Sequence, residues 1–583
     1  MKEREKITML TTIIIVVAIY FVAMLGIGWY GRRYSSTFDG YLSMGRSGGI
    51  LLLMGSAIGA NIGNGFVVGG AGGGATSGLA GSAYGLACAV STLVAVFLCD
   101  FIYKHNYNSL ADYTRERYHS EVPGVIYDIS TAISSIGLLA GQLMAGKALF
   151  ETLGMPGVAG VISIAVVVFI YSQLAGLWGA YATSVVQTAV IALGLFLTIG
   201  VLFSNDAIGT IKAAQAAGTA TPGALDFSGM TPAGFLAMGL PIVLGMATDQ
   251  NVFTRVCSAK NAKTAKLAQF FSFLVMIPLA LMPAFIGAYG NTVYGAVGDS
   301  AFFTVVMNEL PAIICAIIIA AVLAAVMSTI DCVFIVVSTV LTRDILIGTM
   351  KKEYSEKQLS KITLGLNIAL LVVGVTLALN AGSILDVLNA FYAFLAAACF
   401  IPFFGGLLWK KGSAKGAIAA SVAGIIVVVL GWLGVSLPSL GGFFPCIPSA
   451  IAFVIVCIII QKIVAQCICQ DNTWMQILLS VMLLDKRHTI VSKHIWCRKD
   501  LKATKVICAV SFVVGHDLLK KRACSAAGIN DCIAVIIYGC TIKMIGHNFS
   551  HKSNYKLRKE LRRVECSIVK PSLLVKFVEE QFE

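Results

Sequence analysis

An all-α, multi-pass membrane fold is what this chain predicts, and three observations predict it. Its 583 residues are 57% hydrophobic and only 12% charged, about half the charge usual in soluble domains. Apolar runs of about 20 residues, enough to cross a hydrocarbon layer of ~30 Å at 1.5 Å per residue, recur from Thr11 onward. The basic residues between those runs fall in alternate connections, as the positive-inside rule requires. The runs place spans at 10–30, 49–75, 78–103, 124–150, 156–176, 179–203, 232–251, 267–290, 311–341, 361–380, 384–409, 414–435 and 445–465, thirteen in all.

The first span lacks a small-residue cleavage site ahead of a soluble domain and reads as a retained helix, not a removed signal. With the amino terminus outside, Arg32, Arg33, Arg46, Lys104, Arg115, Arg117, Arg255, Lys260, Lys263, Lys266, Arg343, Lys351, Lys352, Lys357, Lys361, Lys410, Lys411 and Lys415 lie in cytoplasmic connections. The outer side keeps Lys212 as its one clear base beyond Lys2, Arg4 and Lys6, and 291–310 carries Asp299 and Glu309 with none. An odd number of spans then leaves the carboxyl terminus in the cytoplasm. The formal charge of +14 is spread over every inner loop, so it signals topology and not a nucleic-acid face. Reduced cytoplasmic thiols are expected for the tail cysteines, with no structural disulfides.

The second span is crowded by glycine, at 55, 59, 63, 65, 69, 70 and 72–74, with Asn61 and Asn64 between. Glycine costs up to about 1 kcal/mol per helical position relative to alanine, so continuous helix is a poor expectation here. Close helix packing is one explanation. The other is an interrupted helix whose freed carbonyls line a site at mid-membrane depth, and the two asparagines favour it. The outer loop at 204–231 has room for a short surface helix around 208–217. The seventh span carries an interior Pro241 flanked by Gly239 and Gly245. It is either a proline kink or a second break, matching the first if spans two to six and seven to eleven are repeats. Lys147, toward the outer end of the fourth span, has Glu151 one turn away, and an ion pair is the simplest expectation. No other embedded base is expected near the centre.

The ninth span is apolar except for Ser328, Thr329 and Asp331. The Ala325 carbonyl lies three and four residues before the two hydroxyls, so these oxygens can converge. A hard cation prefers such donors, although hydroxyls in membrane helices also bond back to carbonyls one turn earlier. Asp331 suits either ion release or a bond to a neighbouring helix.

From about residue 461 no long apolar run survives. The predicted division is a membrane domain at 1–465 and a basic, cysteine-containing cytoplasmic tail of unknown fold at 466–583. Cys467 and Cys469 do not give the ligand spacing of a structural zinc site, and the basic stretch 552–563 could rest on anionic lipid. A reading-frame change would also produce such a loss of pattern.

Residues 323–332 resemble the signature helix of the sodium:solute symporter family, which holds sodium-coupled sugar, proline, pantothenate and sialic acid transporters. Residues 249–255 with 259–266 are similar to the family's exit from its seventh helix. Ser109 to Tyr113 with Arg117 and Tyr118 resemble its inner loop, and 338–344 and 402–411 resemble further segments. In family order these cover about residues 10–435. The resemblance implies a LeuT-type bundle of five plus five inverted helices, with core repeats near 49–203 and 232–435. It also implies a sodium site made by the carbonyls of Ala60, Gly63 and Ala325 and the hydroxyls of Ser328 and Thr329. Substrate contacts are expected from Asn61, Asn64, Phe66 and Gln142.

Departures from the family pattern narrow the expectation. Ser184 stands where some members hold a second sodium with aspartate, favouring one sodium; residues 77–89 lack the acidic group of sugar carriers; and Ile62 replaces an aspartate found in some relatives. The expected function is sodium-coupled import of a small organic solute by alternating access, in the plasma membrane. Sodium is the coupling ion, the bilayer is the surroundings, and no nucleic acid or obligatory protein partner is implied. A proton-coupled symporter and a transporter-like sensor signalling through the tail are the alternatives. An enzyme is disfavoured because no titratable cluster converges in the membrane region.

Overall fold

The computed structural model describes residues 11–20, 22–23, 26, 46–105, 107, 109–351, 354–435 and 445–470. The expected tail lies outside the described residues from 471 onward. The chain divides into Met1–Ile460 and Gln461–Glu583, and the helical bundle is the first of these. The described residues form helices throughout, with a single isolated β-bridge between Gly48 and Ala259.

In chain order the helices are α1 (Thr11–Tyr20), α2 (Ile50–Asn61), α3 (Gly70–Ser77), α4 (Ala83–His105), α5 (Leu110–Tyr118), α6 (Glu121–Thr152), α7 (Gly157–Ser204), α8 (Ala207–Ala216) and α9 (Pro232–Met246). There follow α10 (Gln250–Ser258), α11 (Ala262–Tyr294), α12 (Ala301–Glu309), α13 (Ala312–Ser338), α14 (Glu356–Asn380), α15 (Ile384–Leu395), α16 (Ile401–Leu408), α17 (Ala414–Trp432) and α18 (Cys446–Gln470). A π-helical stretch, Thr339–Thr349, prolongs α13, and another, Ala396–Phe400, joins α15 to α16.

Eight helical stretches among the described residues are long and apolar enough to cross a membrane, nine with the bent pair α9–α10, and four shorter apolar stretches accompany them, one of each kind lying within α7. The spans expected at 156–176 and 179–203 are one continuous helix, α7, of 48 residues. No proline lies between the two runs, and the glycines there weaken a helix without stopping it. The surface helix expected at 208–217 is α8, capped by the Asp206 side chain on Gly209 N.

Two spans are broken. The run from α2 to α3 is interrupted at residues 62–64 and restarts through a π turn, Gly65–Gly69. In the seventh span the helix continues through Pro241 and ends at Met246, and α10 leaves at 48°. The break therefore falls not at the proline but where Asp249 caps a new helix, its side chain accepting from Asn251 N. A side-chain cap satisfies donors that the next turn would otherwise leave open.

The chain reverses after α3 at Gly78, whose φ of 59° suits glycine. A Cβ there would meet the Gly223 carbonyl, so the loop between α8 and α9 seals directly onto this turn. Within the bundle α13 is the most enclosed long helix, with 83% of its apolar window buried against 28% for α14. It packs most extensively on α7 and also meets α2 and α6, so its hydroxyls face protein and not lipid.

Candidate functional site

The break in the second span follows from one hydrogen bond. In continuous helix Asn64 N would donate to Ala60 O, four residues back. Instead it donates to Gln142 Oε1 of α6 at 2.7 Å, while Asn64 Nδ2 donates to Gly141 O at 2.6 Å. Ile62, with φ −81° and ψ 58°, leaves helical geometry. The carbonyls at the end of α2 lose their usual donors, and in a buried place each needs another.

The hydroxyls of α13 supply them. Ser328 Oγ lies 2.7 Å from Gly59 O and 3.0 Å from Ala325 O, while Thr329 Oγ1 lies 3.2 Å from Ala60 O and 3.1 Å from Ala325 O. Back-bonding to Ala325 and bonding across to α2 thus coexist. A hydroxyl has one proton and two lone pairs, so rotating the protons aside turns this cluster into neutral oxygen donors facing one another. That is a donor set suited to a hard cation. Gly63 sits against it: a Cβ there would be 2.8 Å from Thr329 Oγ1 and 2.7 Å from Gln142 Oε1. Its own carbonyl accepts from Phe66 N and Val67 N, at 3.1 and 3.2 Å.

The structure draws Ala60, Gly63, Ala325, Ser328 and Thr329 together, and brings in Gly59, which sequence reasoning missed. Of the residues expected to touch substrate, Asn64 and Gln142 bond to each other across the break, and Asn64 Oδ1 is buried without a partner. Phe66 is buried, its ring edge close to Gly85. Asn61 lines a narrow cavity alongside Ala60 and Thr329.

That cavity also contains residues not expected at the site: Asp249, Asn251 and Arg255 from the second break, and Tyr392 of α15. Arg255 was expected in a cytoplasmic loop, with no embedded base near the centre. It is only 3% exposed and lines the same cavity as Ala60 and Thr329. A helix starts at Gln250, so Arg255 falls between Val252 and Val256 on its inward face. That spacing was the available signal.

Two further expectations resolve. Lys147 donates to Ala381 O at 3.2 Å, at the end of α14, in place of the expected Glu151 pair. A helix carboxyl end leaves carbonyls open and attracts a cation. Asp331 accepts a hydrogen bond from Ser172 of α7 and does not line the cavity, so it braces two helices. Ser184 bonds back to Ala180 O at 2.7 Å.

Two helices interrupted inside an otherwise helical bundle, with hydroxyls from a third closing on one break, are the arrangement found in secondary transporters. The fold is similar to the solved structure of a Na+-coupled sialic acid symporter in a substrate-bound outward-open state, with TM-score 0.65 at 18% identity, covering 77% of this chain and 97% of that one. It is the LeuT-type fold. The model of the sodium:solute symporter family matches residues 41–424, and the chain belongs to that family. It is 25% identical to the osmoregulated proline transporter OpuE of Bacillus subtilis, over 77% of this chain and 94% of that protein. It is 24% identical to the sodium/pantothenate symporter of Escherichia coli, over 75% of this chain and 93% of that protein. The chain is thus a multi-pass membrane protein of a solute-symporter family, a group of transporters.

Proposed function

We propose that the chain couples inward movement of one sodium ion to import of a small organic solute by alternating access. The observation that carries this reading is the meeting of the Ser328 and Thr329 hydroxyls with carbonyls freed at the end of α2. Ala60, Gly63, Ala325, Ser328 and Thr329 hold the ion. Its binding draws α13 onto α2, which completes a substrate pocket at the break among Asn61, Asn64, Phe66 and Gln142. The amino terminus faces outward, the carboxyl terminus lies in the cytoplasm, and the plasma membrane supplies the driving force. That force is about 2.3 kcal/mol per charge for each 100 mV, plus the concentration term. Relatives named for proline and pantothenate support small organic cargo.

The test is uptake into proteoliposomes of a panel of amino acids, carboxylates, vitamins and sugars, with sodium or with choline at fixed pH. At least one solute is taken up faster with sodium, and the double substitution Ser328→Ala, Thr329→Ala removes that stimulation. Sodium dependence unchanged in the double variant would sink the site. Uptake driven equally well in choline by a pH gradient would favour proton coupling.

A further inference from the structure

We infer that Asp249, with Arg255 beside it, forms a cytoplasmic exit station for the ion, a second cation stop reached after the Ser328–Thr329 site; this rests on the sodium-coupled reading above. One cavity is lined both by Ala60 and Thr329 of the ion site and by Asp249, Asn251 and Arg255 from the second break. Under the proposed orientation, α10 and the far end of α13 both lead to cytoplasmic connections, so this cavity lies between the ion site and the cytoplasm.

Asp249 is buried and brings the cavity its one carboxylate. Its Oδ1 accepts from Asn251 N at 2.7 Å and Asn251 Nδ2 at 3.0 Å. Arg255 is equally buried, its Nε has no hydrogen-bond partner, and among the described residues it makes no ion pair. The two opposite charges therefore share a cavity without being locked together. Leu138, Val252 and Val333 give this cavity neutral walls, so Asp249 is the anionic group in it for a cation leaving Thr329. In low-dielectric surroundings an uncompensated carboxylate would hold it strongly. The guanidinium offsets that attraction, so the carboxylate serves as a stepping point and not a trap. Ser184, bonded back to Ala180, offers no charge in competition.

The test uses the full-length protein and sodium itself as the probe. Sodium-dependent thermal stabilisation of purified protein gives an affinity, and radiosodium exchange across proteoliposomes gives a release rate. Asp249→Asn keeps a good helix cap; it should slow exchange about tenfold and, by leaving the guanidinium unopposed, raise the sodium midpoint. Arg255→Gln should do the opposite to affinity, lowering the midpoint about tenfold. Adding Asp249→Asn to it should cancel that gain, a dependence that a purely structural arginine would not show. Exchange at the wild-type rate in Asp249→Asn, or a raised midpoint in Arg255→Gln, would overturn the station. If Asp249→Asn does not give folded protein, the sign of the Arg255→Gln shift decides alone. Wild-type protein that shows no sodium stabilisation or exchange would instead bring down the sodium-coupled reading itself.

Discussion

Gly63 shows how little room the site leaves. It has Thr329 Oγ1 on one side and the Gln142 amide on the other, each within 3.0 Å of where a Cβ would stand. Contacts that short force something to shift, and overpacking of this kind costs roughly 1–3 kcal/mol. The Gln142 amide can swing, but it then releases Asn64 N, the group whose capture frees Ala60 O. Gly63→Ala should therefore yield folded protein that needs about ten times more sodium for half-maximal uptake, the equivalent of about 1.4 kcal/mol of lost ion binding. An unchanged sodium requirement would show that Ala60 O is freed by something other than this contact. The hydroxyls and the glycine could be picked out from the sequence because polar groups are conspicuous in an apolar run. Gly59 and the clamping use of Gln142 could not, since they depend on which helix lies opposite.

Elements are held in place here by charge as well as by shape. Arg115 of α5 bonds to Asp128 on α6 at 2.5 Å, lies 3.1 Å from Glu121 and donates to Thr349 Oγ1 at 3.2 Å, at the end of the π-helical stretch after α13. One guanidinium thus ties three elements of the bundle. Asp128 is wholly buried, and a buried carboxylate stripped of its partner typically costs 3–5 kcal/mol. Arg115→Ala should lower the melting temperature of detergent-purified protein markedly, and Arg115→Lys should restore only part of it because lysine lacks the planar fork. A melting curve unchanged by Arg115→Ala would mean Asp128 is satisfied elsewhere. In the sequence Arg115 reads only as an inner-loop base, since its partner lies thirteen residues on in a different helix. The same limit explains Arg255 and the second break: Pro241 drew the eye, yet the cap at Asp249 sets where the helix ends.

At the scale of the whole molecule, hydropathy and charge asymmetry made the bundle and its signature helix legible. The joining of two expected spans into α7 was not, because glycines permit a turn without requiring one. A loop between helices offers a pH test. Asp299, in the loop before α12, accepts from Ile384 N at 3.1 Å at the start of α15. Burial above all, with Asp386 and Glu151 nearby, outweighs that bond and Lys147, and pushes its carboxyl from 3.8 up to about 6. The folded protein thus holds this proton more tightly than the unfolded chain. The stability linked to it is fully present below about pH 3.8 and is lost as pH rises through about 6. Asp299→Asn, which keeps the acceptor, should flatten the fall in melting temperature across that window; an identical slope in wild type and variant would exclude the residue. Helix α6 has a last consequence. Gln142 grips the first break, and Tyr127, about 22 Å down the same helix by its rise per residue, donates to Thr248 O at the second. Two breaks fastened to one rod are hard to move separately, so a rearrangement at either one is felt at the other.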